Sequence, residues 1–407
     1  MQKICIDARN IRAGMSGLCR YALHIVKGIA EIDRENQYFI LRDKRYQKRI
    51  VENDNFEDIY DALLDTGSVQ NAFLGAFTVN PLEVDVFHTL NQVVPFGLKA
   101  KRIVTTVHDL MWYERPELSF DKKRMAFGAN LMVKTSFAYS YKRADSVICI
   151  SETTRQIFQQ HYPQYAHKCV VVPHHDIFFY DEKVPLNGQK FHDIDLQENC
   201  PKEFILSVGN TKPYKNIERL IEAFAQNVDK FPTTQLVILG RMDRKQILQH
   251  LAESLGISQR VFFCKQQVDD HDLKLLYQRA QFLAFPSLYE GYGIPPLEAM
   301  SLGCPVLGSN INIVKEATGG KAFYVDPTSV MDMAAGIEKL LSTPALLAKL
   351  SARAKDYVHT LRDYNSAKAT WETYNLALSN RFCNSNRRNK HPHKSNPKHY
   401  LIQSNNT

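Results

Sequence analysis

Residues 285–307 read FPSLYEGYGIPPLEAMSLGCPVL, and this run decides how the rest of the chain is read. Glu290 and Glu298 stand eight positions apart, with Gly291-Tyr292-Gly293 and the pair Pro295-Pro296 between them. Proline suits the first position of a helix, where its missing N–H removes no bond. The spacing predicts a strand at 282–285, a loop, and a short helix over 296–302 that Gly303 ends as its C-terminal glycine. Glu290 falls in the loop and Glu298 in the first helical turn. A helix start offers free N–H donors and the positive end of its dipole, a prepared anion site. Two carboxylates beside such a site suit a ligand with both phosphate and hydroxyl groups. They can also be a capping acid and a solvated side chain.

Outward from this run, the chain alternates short apolar runs with amphipathic stretches, the pattern of α/β units on parallel strands. Strands are expected at 3–7, 38–41, 84–88, 103–108, 146–151 and 168–172, and helices at 18–31, 119–142 and 152–161. A polar stretch with Pro185, Gly188 and Pro201 interrupts the pattern and reads as a linker. The pattern restarts with the strand in EFILSVGN. It continues as helix 216–224, strand 235–239, helix 245–255, strand 261–264 and helix 270–279, then the opening run. A strand at 321–325 and three helices out to about 379 follow. The 407 residues exceed one ordinary core, so two domains are expected: 1–180 and 202–360, joined by a linker at 181–201.

Hydrophobic residues make up 44% and charged residues 23%, which places the chain among globular proteins. No apolar run is long enough to span a bilayer, and the N-terminus lacks the apolar core of a signal peptide. The eight cysteines form no C-x-x-C pair, which suits reduced, buried thiols in a cytoplasmic protein. Of the net charge of +8, six units come from 380–407, which holds six Lys and Arg and no acid. That segment has no apolar periodicity and is expected to be a disordered basic tail, either solvated or touching an anionic partner.

Taken whole, the 285–307 run resembles the signature of the retaining GT-B glycosyltransferases of family 4, PS-x-x-E-G-F-G-(I/L)-P-x-x-E-A-M-(A/S)-x-G-x-P-V. Tyr292 for Phe is the evident change and keeps the aromatic ring. Three further segments carry the likeness. In GNTKPYKN (209–216), Asn216 reads as an N-cap and Lys215 stands just before a helix start, which opposes the dipole unless an anion binds between them. The family form is G-x-x-x-P-(R/H)-K-N, with Tyr214 here departing from Arg or His. In TTVHDL (105–110), His108 ends a strand in the manner of the family's V-x-x-x-H-D-(L/I). In GMSGLCRY (14–21), a glycine-rich turn resembles G-(I/L)-G-R-Y, with Cys19 where glycine is usual, so that a sulfur is expected to narrow the approach beside Gly17. Ser151-Glu152 resembles the family's strand-end Ser-Glu, but is read here as a helix N-cap.

The resemblance implies two Rossmann-like parallel-sheet domains facing across a cleft, with a C-terminal helix at 361–379 crossing back to the first domain. Trp371 and Tyr374 would anchor that crossing. It implies transfer of a sugar from a nucleotide diphosphate to a hydroxyl with retained configuration. Lys215 and the amides of Tyr292, Gly293 and Ile294 would bind the diphosphate. Glu290 would contact the donor sugar, Glu298 the ribose, and His108 a sugar hydroxyl, with Asp109 orienting its loop. Gly17 and Asn210 complete the substrate-binding set. GNxKPxKN resembles bacterial mannosyltransferases of surface polysaccharide synthesis, which makes GDP-mannose the first donor and UDP-sugars the second. The acceptor would be a glycan or polyprenyl-linked glycan, with no nucleic acid as partner. Lys122, Lys123, Arg124, Lys134, Lys142 and Arg143 would face the inner membrane or form a solvated helix face. Asp193-Ile194-Asp195 and Asp270-His271-Asp272 fit the D-x-D by which GT-A enzymes hold a cation. Neither follows a strand suitably, so no metal or other cofactor is expected. The alternatives are a nucleotide-sugar binding protein without turnover, and a GT-B phosphorylase, for which no pyridoxal-phosphate lysine site is found.

Overall fold

The computed structural model describes residues 1–11, 17–61, 69–119, 127–174, 189–241, 244–264 and 268–379. Among these, strands β1 (Lys3–Asp7), β2 (Gln37–Asp43), β3 (Phe56–Asp61), β4 (Val86–Thr89), β5 (Arg102–Val107), β6 (Ser146–Cys149) and β7 (Cys169–Val171) form one sheet. Its order is β3-β2-β1-β4-β5-β6-β7. A second sheet holds β8 (Phe204–Val208), β9 (Gln235–Leu239), β10 (Val261–Phe263), β11 (Phe282–Phe285), β12 (Val306–Ser309) and β13 (Phe323–Val325), in the order β10-β9-β8-β11-β12-β13. All pairings are parallel. Helices cover both faces, so successive residues of a central strand enter different cores. Phe204 and Leu206 join one apolar cluster and Ile205 another, and β11 divides likewise. This is the two-domain GT-B arrangement.

Each sheet reverses its order once, between β1 and β4 and between β8 and β11. Ligands of open parallel sheets bind at the carboxyl ends of strands at such reversals. Gly17 opens the helix after β1, and the connections after β5, β8 and β11 carry His108, Lys215 and Glu290, so sheet topology puts the expected residues at carboxyl edges.

The last helix, Ser366–Leu378, packs against helix Gly17–Ile32 and β5 of the first sheet. The Trp371 indole donates to Asp33 Oδ2 at 2.7 Å, and Tyr374 Oη lies 2.7 Å from His88 Nδ1. His88 Nε2 in turn lies 2.8 Å from Thr106 Oγ1. The Asp33 carboxyl is held down to about 2 by the hydrogen bonds it accepts from Tyr38, Asn36, Glu35 and Trp371, against the opposing effect of burial. Close approach of the two helices depends on Gly28, where an added Cβ would lie 2.5 Å from the Ala367 Cβ.

Several expectations are revised. Strand β3 and helix Val69–Val79 were not anticipated: three of the six residues of FEDIYD are acids, which breaks the apolar pattern of an edge strand, and the helix carries no charged residue. Strand β12 also escaped notice, being four residues long. Of the expected helix 119–142, residues 120–126 lie outside the described residues; the described part is helix Phe127–Arg143, and two short helices, Met111–Glu114 and Pro116–Ser119, come before it. The helix of the opening run starts at Ile294, not at 296. Glu298 therefore sits one turn inside it, because both prolines are accommodated at its first positions. The expected linker contains helix Ile194–Asn199, capped by Asp193. Cys19 is buried in the core, so its sulfur does not narrow the approach beside Gly17. The described cysteines are thiols rather than disulfides. Lys122, Lys123, Arg124 and the tail at 380–407 lie outside the described residues.

Gly28→Val is expected to wedge the crossing helix away from the first sheet. Overpacking of this kind costs about 1–3 kcal/mol, read as a lower urea midpoint; an unchanged midpoint would show that the contact with Ala367 is not tight.

Candidate active site

Lys215 ends a short 3-10 turn, Pro213–Lys215, ahead of helix Ile217–Ala225. Its ammonium donates to Glu290 Oε1 at 2.6 Å, with both side chains 11% exposed. The same nitrogen lies 5.4 Å from the centre of the Tyr214 ring and 4.9 Å from that of Phe285, an aromatic lining that favours a cation. Asn210 shapes the loop rather than pointing elsewhere: its amide donates to Tyr214 Oη at 2.9 Å and its Oδ1 accepts from the Lys212 amide. Tyr214, the departure from the family form, thus supplies one wall around Lys215.

Asn216 is corrected in role. It precedes the helix, but its backbone is left-handed (φ 59°) and its side chain makes no cap bond. The amide instead donates to the carbonyls of Pro286 and Pro327, tying this loop to the strand that leads into Glu290.

Glu298 is buried. Its Oε1 accepts from Arg20 Nη1 at 2.7 Å and its Oε2 from the Tyr277 hydroxyl at 2.8 Å. Burial pushes its pKa up, and Arg20 and Tyr277 oppose that rise. Arg20 comes from the first half of the chain and also reaches Asp270 at 3.2 Å, so this ion pair spans the cleft. Gly17 stands opposite Ile294, whose Cδ1 would lie 3.8 Å from an added Cβ. The amides of Tyr292, Gly293 and Ile294 lead into the helix, with Gly293 in a left-handed conformation (φ 98°). The two prolines that follow lack N–H groups, which concentrates the donors in that loop.

His108 completes the site from the opposite wall. Its Nε2 donates to the Leu90 carbonyl at 2.7 Å, which leaves Nδ1 as an acceptor. Burial lowers its pKa to about 4, so the ring is neutral at physiological pH. Tyr21 packs edge-on against it, with ring centres 4.8 Å apart. Asp109 orients the loop as expected, accepting from the Met111 amide; burial raises its pKa, and Glu290 adds to the rise. Gly291 touches this wall directly: an added Cβ would lie 2.4 Å from the His108 carbonyl oxygen.

The structure thus brings Lys215, Glu290, Glu298, His108, Gly17 and the 292–294 loop to one cleft, with Asn210 supporting the loop around Lys215. Sequence reasoning missed Arg20 and Tyr277, the partners of Glu298. Arg20 is the arginine of the glycine-rich turn, and its position in the run after Gly17 was the available signal. Ser151 is the N-cap of helix Glu152–His161, accepting from the Thr154 amide.

Among the described residues, His192, His271 and Asp272 place potential metal ligands within 4.8 Å of one another. The two imidazoles stack with an interplanar angle of 10° and centres 4.2 Å apart. Their in-plane lone pairs do not converge on one ion at the usual Zn–N distance of about 2.0–2.1 Å. The Asp272 oxygens accept from the amides of His192 and Asp193, which is a linker clasp.

A family model described as Glycosyltransferase Family 4 matches residues 68–174, and one described as Glycosyl transferases group 1 matches 189–357. The first half of the chain is thus similar to family 4 glycosyltransferases and the second half to group 1 glycosyl transferases. It is 31% identical over 245 residues to the serotype-specific mannosyltransferase WbdA of Escherichia coli, a match covering 58% of this chain and 29% of that protein. The chain therefore spans under a third of that relative. It is 25% identical over 309 residues to the O-antigen chain mannosyltransferase RfbU of Salmonella typhimurium, covering 74% of this chain and 82% of that one. In fold it is similar to sucrose-phosphate synthase from Thermosynechococcus elongatus, with a TM-score of 0.70 at 19% identity over 93% of this chain and 100% of that one.

The buried imidazole has a consequence for stability. In the unfolded chain a histidine titrates near 6.5, and in the folded protein His108 titrates near 4. Between these values the unfolded chain binds the proton and the folded one does not. The contribution of His108 is therefore complete above about pH 6.5 and is lost as pH falls toward 4. In urea unfolding at about pH 7.5 and about pH 5, on either side of the free imidazole value, His108→Gln should lose less stability on acidification than the parent. Equal losses would contradict a neutral buried ring.

Proposed function

We propose that this protein is a retaining hexosyltransferase that moves mannose from GDP-mannose to a glycan or polyprenyl-linked glycan in lipopolysaccharide O-antigen or exopolysaccharide synthesis. The observation that carries the reading is the pairing of Lys215 with Glu290, facing His108 at the carboxyl edges of two parallel sheets. Both curated relatives named above are mannosyltransferases, which supports mannose over other hexoses.

In this reading the donor diphosphate takes the place of Glu290 beside Lys215 and accepts bonds from the 292–294 amides. Glu290, so released, meets the sugar hydroxyls and the positive charge that grows at the anomeric carbon. The ribose hydroxyls replace Arg20 on Glu298. His108 Nδ1 accepts from a sugar hydroxyl, which a neutral ring does and an imidazolium does not. The bond from the anomeric carbon to the phosphate oxygen breaks, and the acceptor oxygen bonds to that carbon on the same face. The acceptor's proton passes to the departing diphosphate. The products are a nucleoside diphosphate and a glycoside of unchanged configuration. Preorganised charge from Lys215 and the loop amides replaces the work of a cation, so the reaction is metal-independent.

Removing one such group costs on the order of 10²–10³ in rate, and Lys215→Ala and Glu290→Gln should each show that loss. The assay is nucleoside diphosphate release across GDP- and UDP-sugars with EDTA present. Release from a UDP-sugar alone would change the donor, and activity abolished by EDTA would end the metal-free mechanism. Tight donor binding without release, even with lipid-linked acceptors, would favour a nucleotide-sugar binding protein.

Contact with the cytoplasmic face of the inner membrane belongs to the same reading. No helix among the described residues is long and apolar enough to cross a membrane. Helix Val69–Val79 nevertheless exposes Phe73, Leu74 and Phe77, with Phe73 against Phe96 and Phe96 against Tyr139. Lys99 and Lys142 are exposed on the neighbouring segments, whereas Lys134 packs on Tyr113 and Arg143 on Tyr139. Apolar residues flanked by cations suit an anionic interface. Phe73→Ser with Phe77→Ser should reduce co-sedimentation with phosphatidylglycerol vesicles; unchanged binding would remove this helix from the contact.

A further inference from the structure

Helix Glu152–His161 begins directly behind the cleft, and its first amides need acceptors at the positive end of the helix dipole. Ser151 satisfies the Thr154 amide from within the same segment. The next two are satisfied from the other half of the chain. The amides of Glu152 and Thr153 donate to Glu316 Oε1 and Oε2 at 2.6 and 2.8 Å, and the Thr153 hydroxyl donates to Oε2 at 2.6 Å. The helix's own first acid does not compete, because the Glu152 carboxylate is turned onto Arg155. Bonds to an ionised carboxylate are the stronger kind.

Glu316 lies on helix Asn312–Ala317, which also backs the loop expected to hold the donor diphosphate: an added Cβ at Gly293 would lie 3.4 Å from the Ala317 Cβ. From the first half, the hydroxyls of Ser151 and Thr154 lie 3.4 and 3.3 Å from the Gly291 carbonyl oxygen. The same glycine lies against the His108 carbonyl. One helix terminus therefore grips the loop from two sides, by hydroxyls on Gly291 and by amides on Glu316.

We infer that Glu316 is a positioning residue: by capping helix Glu152–His161 across the cleft, it fixes the 290–294 loop against His108 for transfer. This rests on the transferase reading and adds a residue to it. The groups assigned to the nucleotide and the diphosphate (Lys215, Glu298 and the 292–294 amides) all belong to the second half, so nucleotide binding does not need Glu316. Transfer also needs His108 and the first half, so it does.

The test compares Glu316→Ala, Glu316→Gln and Thr153→Val with the parent in three measurements. These are GDP and UDP affinity by calorimetry, radius of gyration by X-ray scattering with and without nucleotide, and kcat and KM for transfer. The expected result for Glu316→Ala is unchanged nucleotide affinity, a larger radius of gyration, and a kcat lower by about 10²-fold, the scale of a small misplacement of reacting groups. Glu316→Gln keeps an acceptor oxygen and should fall between, and Thr153→Val should lower kcat less. Combined with Glu316→Ala, Thr153→Val should add nothing further. An unchanged kcat and radius of gyration in Glu316→Ala would overturn the inference, as would nucleotide affinity falling in step with kcat. If the parent transfers no sugar, the function reading fails on its own, and the scattering and affinity measurements still decide the role of Glu316.

Discussion

The cleft is organised by charges that cannot be left alone. Lys215 and Glu290 are 11% exposed and 2.6 Å apart, and Arg20 and Glu298 are 2.7 Å apart at 12% and 5%. A buried charge without its partner is expensive, so each pair holds its two loops in place. The first pair joins the loops after β8 and β11. The second joins the first helix of one sheet to a helix of the other. In the proposed transfer, a ligand that carries both an anion and hydroxyl groups exchanges these pairings for its own. The same side chains that stabilise the closed cleft can thus receive such a ligand.

The parallel topology makes this arrangement possible. Every strand presents its carboxyl end to the same edge of its sheet, and each sheet reverses order once. Loops distant in sequence therefore meet without long excursions. Gly291 marks how closely they meet, since the His108 carbonyl occupies the space its Cβ would need. The neutral His108 ring fits the same design, offering an acceptor nitrogen to the cleft without adding a fifth buried charge.

Much of this was legible in the sequence. The opening run and the lysine before a helix start were identified from local pattern, and the strand-end histidine and the two aromatic anchors of the crossing helix from the family resemblance. What escaped is tertiary. Arg20 and Tyr277 matter because they touch Glu298, and Glu316 because it caps a helix more than 150 residues away in the chain. The run after Gly17 marked Arg20, but no local spacing shows which side chain any of the three meets. Asn216 shows the same limit from the other side: its place before a helix was right, but its amide serves two carbonyls from other loops. Strand β3 was not anticipated because three of its six residues are acids, yet Asp58 pairs with the buried Arg42 of β2.

The crossing helix has a consequence for how the chain assembles. The first domain is discontinuous: its sheet is complete by Val171, yet Trp371 and Tyr374 complete its packing. During synthesis the second domain must emerge before that helix does. Until then the surface around Gly28 and His88 has no cover, and a chaperone or a neighbouring nascent chain can reach it. Docking of that helix therefore follows the synthesis of both sheets.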